Sequence, residues 1–353
     1  MRELAKTDLY WLCTEVLGYD KFYEPLHGPI CAHLTAPGTR KGLLIPREHY
    51  KSTVGTVGYS VQRILKNCNI RILISNATED NAHDFAGEVQ SHFRENEKLL
   101  ALFPEYAIKS KRFTKSHFTV PCRTKTSKED TVESVGVGTN IVSRHYDLII
   151  HDDLVNLECY RSPAKNETVK QWYAASEALI MHDSSAGDEC TELIIGTRWH
   201  QNDLYADLLK NKEYTFFVRG LKNDDGTYIL PTSFDEAQEK AVRNKMLQMP
   251  GGDFLFHSQY YNNPINLANQ RFTPDMFRES KKADLLDILP ECKQYLLVDP
   301  SASKEYYSDP AAFLLLWVSP DRHWFVEPIH NNKMEPDEAV SYTHLTLPTI
   351  YSV

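Results

Sequence analysis

Short apolar segments alternate with stretches of helical spacing along much of the chain, and this alternation limits the possible folds more than any other feature. The apolar segments are 43–45, 70–74, 146–150 and 193–195. Between the first two, residues 52–65 carry Val and Leu at helical spacing. Strands that alternate with helices form mainly parallel sheets with helices on both faces. We therefore predict an α/β domain over residues 1–210.

A different pattern follows residue 210. Residues 211–275 are irregular and contain turn residues at 224–226 and 249–252, which predicts a lid or linker. Strand-like runs return at 294–298, 312–318 and 323–326. Their short connections predict an antiparallel meander that opens a second domain over residues 276–339.

The end of the sequence has a separate explanation. The ten residues Val340 to Thr349 match the translation of a transposase-type sequencing adapter in one reading frame. We expect residues 340–353 to be an artefact and the natural sequence to end near Ala339, inside the second domain. The alternative is a natural C-terminal strand.

Composition excludes several classes of protein. The 353 residues carry a net charge of −9, which does not suggest a general basic coat for nucleic acid but leaves local basic segments open. The longest apolar run, Ala311 to Val318, has eight residues, whereas a membrane helix needs about 20. The seven cysteines form no C-x-x-C pair, so neither a zinc site nor a disulfide framework is supported.

A polar segment after the first strand could hold phosphate. It consists of Pro46, Arg47, Glu48, His49, Tyr50, Lys51, Ser52 and Thr53. At a strand-to-helix junction, backbone N–H groups and the helix dipole favour phosphate. We predict that Lys51 neutralises the β- and γ-phosphates of a nucleotide and that Ser52 binds Mg²⁺. The two glycines of the usual phosphate-loop pattern G-x-x-x-x-G-K-[ST] are absent, and Tyr50 occupies the place of the second. The alternative is an ordinary strand-to-helix turn.

Two further strands end in reactive residues. Asp152 and Asp153 follow the strand 146–150, and such a pair can orient Mg²⁺ and position or deprotonate water. Thr197 follows the strand 193–195, where a hydroxyl can sense the γ-phosphate. An acidic turn and a helix-capping Thr are the alternatives. The three features in this order are much less common than any one of them.

Together these segments resemble the large terminase subunit of tailed bacteriophages, the motor that packages viral DNA. That family carries a phosphate loop often written P-R-x-x-x-K-S-T, a strand that ends in two acids, and a G-T-R-W-like coupling motif, which correspond here to 46–53, 146–153 and 196–199. Two further stretches also agree with the pattern of that family: the segments 118–121 and 136–138 together, and the segment 258–264. The resemblance spans about residues 20–330 and implies a P-loop NTPase-like sheet followed by a truncated ribonuclease-H-like domain.

The resemblance assigns roles residue by residue. It implies that Arg47 contacts phosphate, that Asp152 orients Mg²⁺ and that Thr197 couples hydrolysis to motion. Asp153 stands where the family places its catalytic acid, often Glu, and is one methylene shorter. Residues 23–33 match the region of the adenine contacts.

A nuclease site is implied in the second domain. Asp299 ends the strand 294–298 and matches the first metal-binding acid of the family, for Mg²⁺ or Mn²⁺, and Asp309 could assist. The family's two later acids would lie beyond Ala339. We therefore expect an incomplete nuclease centre; the alternative for Asp299 is a turn-capping role.

A basic segment is a candidate for DNA contact. Lys109, Lys111, Arg112 and Lys115 lie close together, and Arg123, Lys125 and Lys128 follow without an intervening acid. Such a run can bind phosphates independently of sequence. A solvated basic hairpin is equally consistent with it.

The resemblance implies an ATP-driven motor with double-stranded viral DNA, a portal protein and a small terminase subunit as partners. It further implies a homo-oligomeric ring, no membrane association, and a location in the cytoplasm of the infected bacterium, transiently at the procapsid portal. The alternatives are a helicase-like DNA-dependent ATPase and a P-loop scaffold that has lost catalysis.

Overall fold

The computed structural model describes residues 1–110, 114–141, 143–181, 189–249, 251–264, 278, 280, 285, 287–299 and 311–332. The chain divides into two compact units, residues 1–269 and residues 270–353. The predicted lid or linker over 211–275 and the boundaries at 210 and 276 stay predictions, and residues 340–353 lie outside the described part.

One mainly parallel sheet forms the centre of the first unit. Its strands in the described ranges are β1 (Arg40–Leu44), β2 (Ile72–Asn76), β3 (His117–Phe118), β4 (Val132–Gly136), β5 (Leu148–Asp152), β6 (Glu192–Gly196) and β7 (Tyr214–Val218). They lie in the order β3-β4-β2-β5-β6-β1-β7, with β3 alone antiparallel among them. β7 begins after residue 210 and still completes the sheet beside β1.

Helices precede and connect these strands. In the described ranges they are α1 (Arg2–Thr7), α2 (Leu9–Trp11), α3 (Glu24–Thr35), α4 (Tyr59–Lys66), α5 (Glu79–Glu95), α6 (Glu97–Leu102), α7 (Leu157–Arg161), α8 (Pro163–Ser176), α9 (Leu204–Leu208), α10 (Glu236–Leu247) and α11 (Gly252–Tyr261). A π-helical turn at Leu12–Val16 extends α2, and a second one at Thr53–Gly58 precedes α4. Short 3-10 turns lie at Pro104–Tyr106, Glu177–Leu179 and Leu289–Glu291. No helix among the described residues is long and apolar enough to cross a membrane.

The core lies on both faces of the sheet. On β1, Leu43 belongs to the apolar cluster that includes Phe93 of α5, whereas its neighbour Leu44 belongs to the cluster that includes Tyr173 of α8. Successive residues of a strand point to opposite faces, so each face buries its own cluster. The predicted α/β fold with helices around a mainly parallel sheet is confirmed.

The strand order brings the predicted motifs to one edge. β6 lies between β5 and β1, and these three strands are parallel. Their carboxyl ends therefore face the same way, and neighbouring strands are about 4.8 Å apart. The loop after β1, the two acids after β5 and Thr197 after β6 thus converge.

In the second unit, β8 (Lys293–Asp299), β9 (Ala311–Val318) and β10 (Trp324–Asn332) form an antiparallel sheet in the order β10-β9-β8. The predicted meander is confirmed. Its assignment to a ribonuclease-H-like nuclease stays a prediction.

Candidate active site

The loop after β1 contacts both acids at the end of β5. Lys51 Nζ lies 3.1 Å from Asp153 Oδ2, and Ser52 Oγ donates a hydrogen bond of 3.1 Å to Asp152 Oδ1. Lys51 is 8% exposed at its side chain and Asp153 is 38% exposed. The predicted phosphate-binding lysine, the hydroxyl and both acids therefore form one cluster.

A further hydroxyl holds Asp152. Thr56 Oγ1, which lies in the π-helical turn Thr53–Gly58, donates a hydrogen bond of 2.5 Å to Asp152 Oδ2. Sequence reasoning missed Thr56, although residues four apart on a helix share a face and Ser52 had been selected. Asp152 is completely buried. Burial, and then the nearby Asp153 charge, raises the pKa of Asp152, while Lys51 and the two hydroxyls oppose that rise.

Asp153 has an uncommon backbone conformation. Its φ is 47°, in the left-handed region, while its N–H donates to the Ile195 carbonyl of β6 at 2.8 Å. Asp is among the residues that tolerate this region, and non-glycine residues there concentrate at functional sites. Its Oδ1 is buried and has no hydrogen-bond partner among the described residues. That oxygen therefore has unused capacity to accept a hydrogen bond.

Tyr50 keeps the backbone conformation that a glycine would adopt most easily. Its φ is 56°, and φ of Glu48 is 66°. The centre of the Tyr50 ring lies 6.3 Å from that of Phe22 and 6.1 Å from that of His27. The Phe22 and His27 rings stack on each other with their centres 4.3 Å apart. Aromatic contacts can offset part of the cost of a left-handed tyrosine. Tyr50 therefore adopts a left-handed backbone conformation without being glycine, and its ring packs near Phe22 and His27.

α11 holds the front of the loop. Arg47 Nη1 donates a hydrogen bond of 3.0 Å to Gln259 Oε1, and the guanidinium lies 5.9 Å from the centre of the Trp199 ring. Tyr260 donates to Glu48 Oε1 at 3.5 Å. Sequence analysis matched residues 258–264 to a family motif without assigning roles. Only the fold places them against the loop.

His49 lies inside the loop. It is fully buried, and its Nδ1 is 2.7 Å from the Arg47 carbonyl. Burial lowers the pKa of His49. The residue therefore supports the loop as a neutral ring.

The segment after β6 is tied down on two sides. Thr197 is buried, and a Cβ on Gly196 would lie only 2.4 Å from the Tyr205 hydroxyl, so the ring requires glycine there. The Arg198 guanidinium pairs with the buried Asp203 at 3.0 Å, and the backbone N–H of Arg198 donates to Asn262 Oδ1 at 3.1 Å. Asn262 ends α11, so the predicted coupling segment and the loop are held by the same helix.

These elements line a cavity of 520 Å³. Its lining includes Arg47, Lys51 and Asp153, together with Lys245 and Met246 of α10. Ligand sites in proteins have volumes of about 300–1,000 Å³. The cavity could hold a nucleotide's phosphates, and Lys245 adds a cation that sequence analysis did not select.

The region predicted to contact adenine lines a second cavity, of 390 Å³. Its lining includes Tyr23 and Leu26 together with Phe217, Arg219 and Tyr228. His27 connects this region to the loop, since its Nε2 lies 3.3 Å from the His49 carbonyl.

Lys109 and Lys115 are not brought together. Lys109 follows Ile108, whose N–H donates to Phe93 near the end of α5, whereas Lys115 pairs with Asp84 near its beginning. Asp84 and Phe93 are the ends of a ten-residue stretch of α5, which spans about 15 Å, so the two lysines lie near opposite ends of that stretch. Lys111 and Arg112 lie outside the described residues.

The predicted nuclease acids stay predictions. Asp299 is the last residue of β8, as expected of a strand-ending acid, and its side chain lies outside the described part. Asp309 lies outside the described residues. Among the described residues no group of three or more His, Cys, Asp or Glu could hold a metal ion.

The oxygen atoms of Ser52 and Asp152 beside Lys51 fit Mg²⁺. Ser52 Oγ and the Asp152 carboxylate are oxygen ligands, which Mg²⁺ prefers, and Mg²⁺ is commonly bound by one or two protein oxygens plus substrate phosphates. A cluster of three protein acids is not required for such a site.

No family model matches the sequence, and no curated protein does. Among solved structures, the fold is similar to the large terminase ATPase domain of Thermus phage P74-26 at 16% identity and a TM-score of 0.43, covering 70% of this chain and 95% of that one. It is also similar to the large terminase of a thermophilic bacteriophage at 13% identity and a TM-score of 0.35, covering 90% of this chain and 69% of that one. A complex of the latter with ATP-γ-S gives 12% identity, a TM-score of 0.32 and the same coverage.

Proposed function

We propose that this protein hydrolyses ATP at the cavity between the loop after β1 and the acids after β5. The observation that carries the proposal is the meeting of Lys51 and Ser52 with Asp153 and Asp152, each pair at 3.1 Å. Residues about 100 positions apart in sequence supply a cation, a hydroxyl and two carboxylates at one point. Phosphoryl transfer requires this combination of charge neutralisation and water positioning.

Each residue has a separate role in the proposed reaction. Lys51 leaves Asp153 and neutralises the terminal phosphates, and Arg47, fixed by Gln259, stabilises charge that develops during transfer. Asp153 then orients the attacking water through its unpartnered oxygen. Thr197 lies between the loop and the acids, where a change in the γ-phosphate reaches the segment held by Asn262. The adenine ring occupies the cavity beside Tyr23 and Arg219.

Mg²⁺ would be held by Ser52 and Asp152 together with phosphate oxygens. When bound, it neutralises negative charge on the phosphates. Thr56 keeps Asp152 oriented toward the loop, and Ser52 supplies the second protein oxygen. Burial of Asp152 disfavours the ionised form of its carboxyl group unless a cation lies nearby.

We further propose that hydrolysis drives double-stranded viral DNA into a procapsid, as in the large terminases that the motifs resemble. On this proposal the protein works as a homo-oligomeric ring with a portal protein and a small terminase subunit, in the cytoplasm of the infected bacterium. DNA cleavage would belong to the second unit, with Mg²⁺ or Mn²⁺ near Asp299 and Asp309.

ATP turnover tests the proposal. Lys51→Ala removes the cation from the cavity, and turnover should fall by about 100-fold or more. Lys212→Ala, an exposed lysine before β7, should leave turnover unchanged. Equal rates for the wild type and Lys51→Ala would overturn the proposed function and favour a scaffold without catalysis.

A further inference from the structure

A second charged cleft lies at the opposite edge of the sheet from the proposed ATP site. Its lining includes Ile70, Asp147 and Thr191, which come just before β2, β5 and β6. The loop with Lys51 follows the carboxyl end of β1, which is parallel to β6. Five-residue strands separate the two edges by about 17 Å. A ligand in this cleft would therefore not overlap bound ATP.

The cleft is large and carries net positive charge. Its volume is 570 Å³, and among its described lining residues the cations are Arg63, Arg71, Arg123 and Lys125, against the acids Asp147 and Glu189. The chain as a whole has a charge of −9. A local excess of cations in an acidic protein marks a place where an anion is attracted.

Internal contacts neutralise some of these cations and leave others for a ligand. Arg71 forms a forked pair with Asp147, with bonds of 3.0 and 2.7 Å, and Arg63 lies 3.1 Å from Glu189. Arg123 donates from Nη1 to the Glu129 carbonyl at 2.7 Å. Its Nε is buried without a hydrogen-bond partner among the described residues. Arg123 and Lys125 therefore supply the excess charge.

The loop that carries these two cations is fixed. Asn69 Oδ1 accepts hydrogen bonds from the backbone N–H groups of Thr124 at 2.9 Å and Lys125 at 2.8 Å. Asn69 Nδ2 donates to the Thr124 hydroxyl at 3.1 Å. Asn69 thus anchors the loop to the turn before β2. A cation on a fixed loop loses less conformational freedom when it binds a ligand.

We propose that this cleft binds the phosphodiester backbone of nucleic acid through Arg123 and Lys125. A phosphodiester carries one negative charge shared by its two non-bridging oxygens, which suits an arginine and an exposed lysine that line the same cleft. The choice of nucleic acid over a free phosphate compound rests on the proposed function. Contact with phosphates alone is independent of base sequence, as a motor that moves along DNA requires.

Binding of a fluorescent mixed-sequence duplex to the full chain tests this site. Lys125→Glu reverses an exposed charge, and we expect about tenfold or more weaker binding at low salt with a smaller salt dependence. Arg123→Gln should weaken binding in the same direction. Lys165→Glu, an exposed lysine on α8, is the matched control and should bind as the wild type. Thermal melting of each variant identifies any loss of fold.

Two competition arms distinguish the sources of phosphate and the class of ligand. Unlabelled duplex should displace the probe far better than inorganic triphosphate at equal phosphate concentration. Displacement only by triphosphate, or by an acidic peptide but not by DNA, would overturn the proposal. Equal affinity of folded Lys125→Glu and the wild type would overturn it as well.

ATP turnover separates this proposal from the proposed function. Without DNA, Lys125→Glu should turn over ATP at the wild-type rate, because the cleft lies at the other edge of the sheet. If the wild type shows no turnover, the proposed function fails. The binding comparison still decides whether the cleft holds nucleic acid.

Discussion

Arg47 and Gln259 are 212 positions apart in the sequence, yet their side chains meet in a hydrogen bond of 3.0 Å. This bond connects the loop proposed to hold phosphate with α11, which also anchors the segment after β6 through Asn262. One helix therefore touches both the front of the site and the proposed coupling segment. A change in either can reach the other through α11.

Removal of the Gln259 amide should release Arg47. A hydrogen bond to a charged group contributes about 1.5–3 kcal/mol, so Gln259→Ala should lower ATP turnover by about tenfold or more. Gln259→Glu keeps an acceptor for Arg47 and should retain most of the activity. The exposed Gln248→Ala is the control. If Gln259→Ala and Gln259→Glu lose activity equally, the acceptor is not what matters.

The Asp153 carboxylate can be removed with little disturbance of the backbone. Asn tolerates the left-handed region as well as Asp does, so Asp153→Asn should fold with φ unchanged. Turnover should drop by about 100-fold or more, while ATP affinity changes only a few-fold. Single-turnover kinetics with separate binding measurements check this. Asp207→Asn, on exposed surface, should behave as the wild type; retained hydrolysis in Asp153→Asn would exclude Asp153 as the water-positioning group.

Two substitutions at Tyr50 isolate its backbone conformation. Tyr50→Ala and Tyr50→Gly both remove the ring that contacts Phe22 and His27, so they share that loss. The variants then differ at a φ of 56°, which favours glycine by about 1 kcal/mol. Denaturant unfolding should therefore find Tyr50→Gly the more stable. The opposite order would mean that the loop changes conformation once the ring is gone.

Lys245 of α10 should assist the reaction from the lining of the cavity. It is a cation on α10 that lines the same space as Arg47 and Lys51. Lys245→Ala should reduce turnover by about tenfold, because it removes a positive charge near the phosphates. Lys240→Ala, an exposed lysine on the same helix, provides the comparison. Indistinguishable rates for these two variants would remove Lys245 from the site.

His92 makes the stability of the first unit depend on pH. Burial lowers the pKa of His92 from 6.5 to about 4. Asn96 Nδ2 donates to its Nδ1 at 3.2 Å, and Tyr19 lies 3.0 Å from its Nε2, an arrangement that fits a neutral ring. Between pH 6.5 and 4 the unfolded chain binds the proton and the folded chain does not, so stability falls as pH falls.

The expected loss over this range is up to about 3 kcal/mol in the free energy of unfolding. His92→Gln should remove most of that slope, as measured by denaturant unfolding at several pH values. The exposed His117→Gln should leave it in place. An unchanged slope in His92→Gln would assign the pH dependence to other groups.

Local pattern was sufficient to predict β1, β2, β5 and β6, whereas β3, β4 and β7 were not predicted. Apolar runs such as 70–74 were recognisable because a strand buried on both faces consists of consecutive apolar residues. α5 begins with signals that are local in the sequence, since Thr78 caps it and the acids Glu79 and Asp80 lie in its first turn. Strand boundaries were displaced by about two residues, since β2 begins at Ile72 and continues to Asn76.

The supports of the site could not be predicted in the same way. Thr56 and Lys245 were not selected, and Gln259 was matched only as part of the segment 258–264 without a role of its own. Their importance comes from which elements pack together, which depends on strand order and on the placement of α10 and α11. Likewise, the run of basic residues gave no sign that Lys115 would pair with Asp84 and that Arg123 would line a cleft.

The sequence by itself determined the α/β class and the residues that end β1, β5 and β6, because apolar periodicity and terminal polar residues are local properties. Only the tertiary structure decided that Lys51 lies 3.1 Å from Asp153, that Tyr50 adopts a glycine-like φ and that Gln259 holds Arg47. The physical reason is that strand order sets which ends are neighbours, and packing of distant helices sets the direction of each side chain.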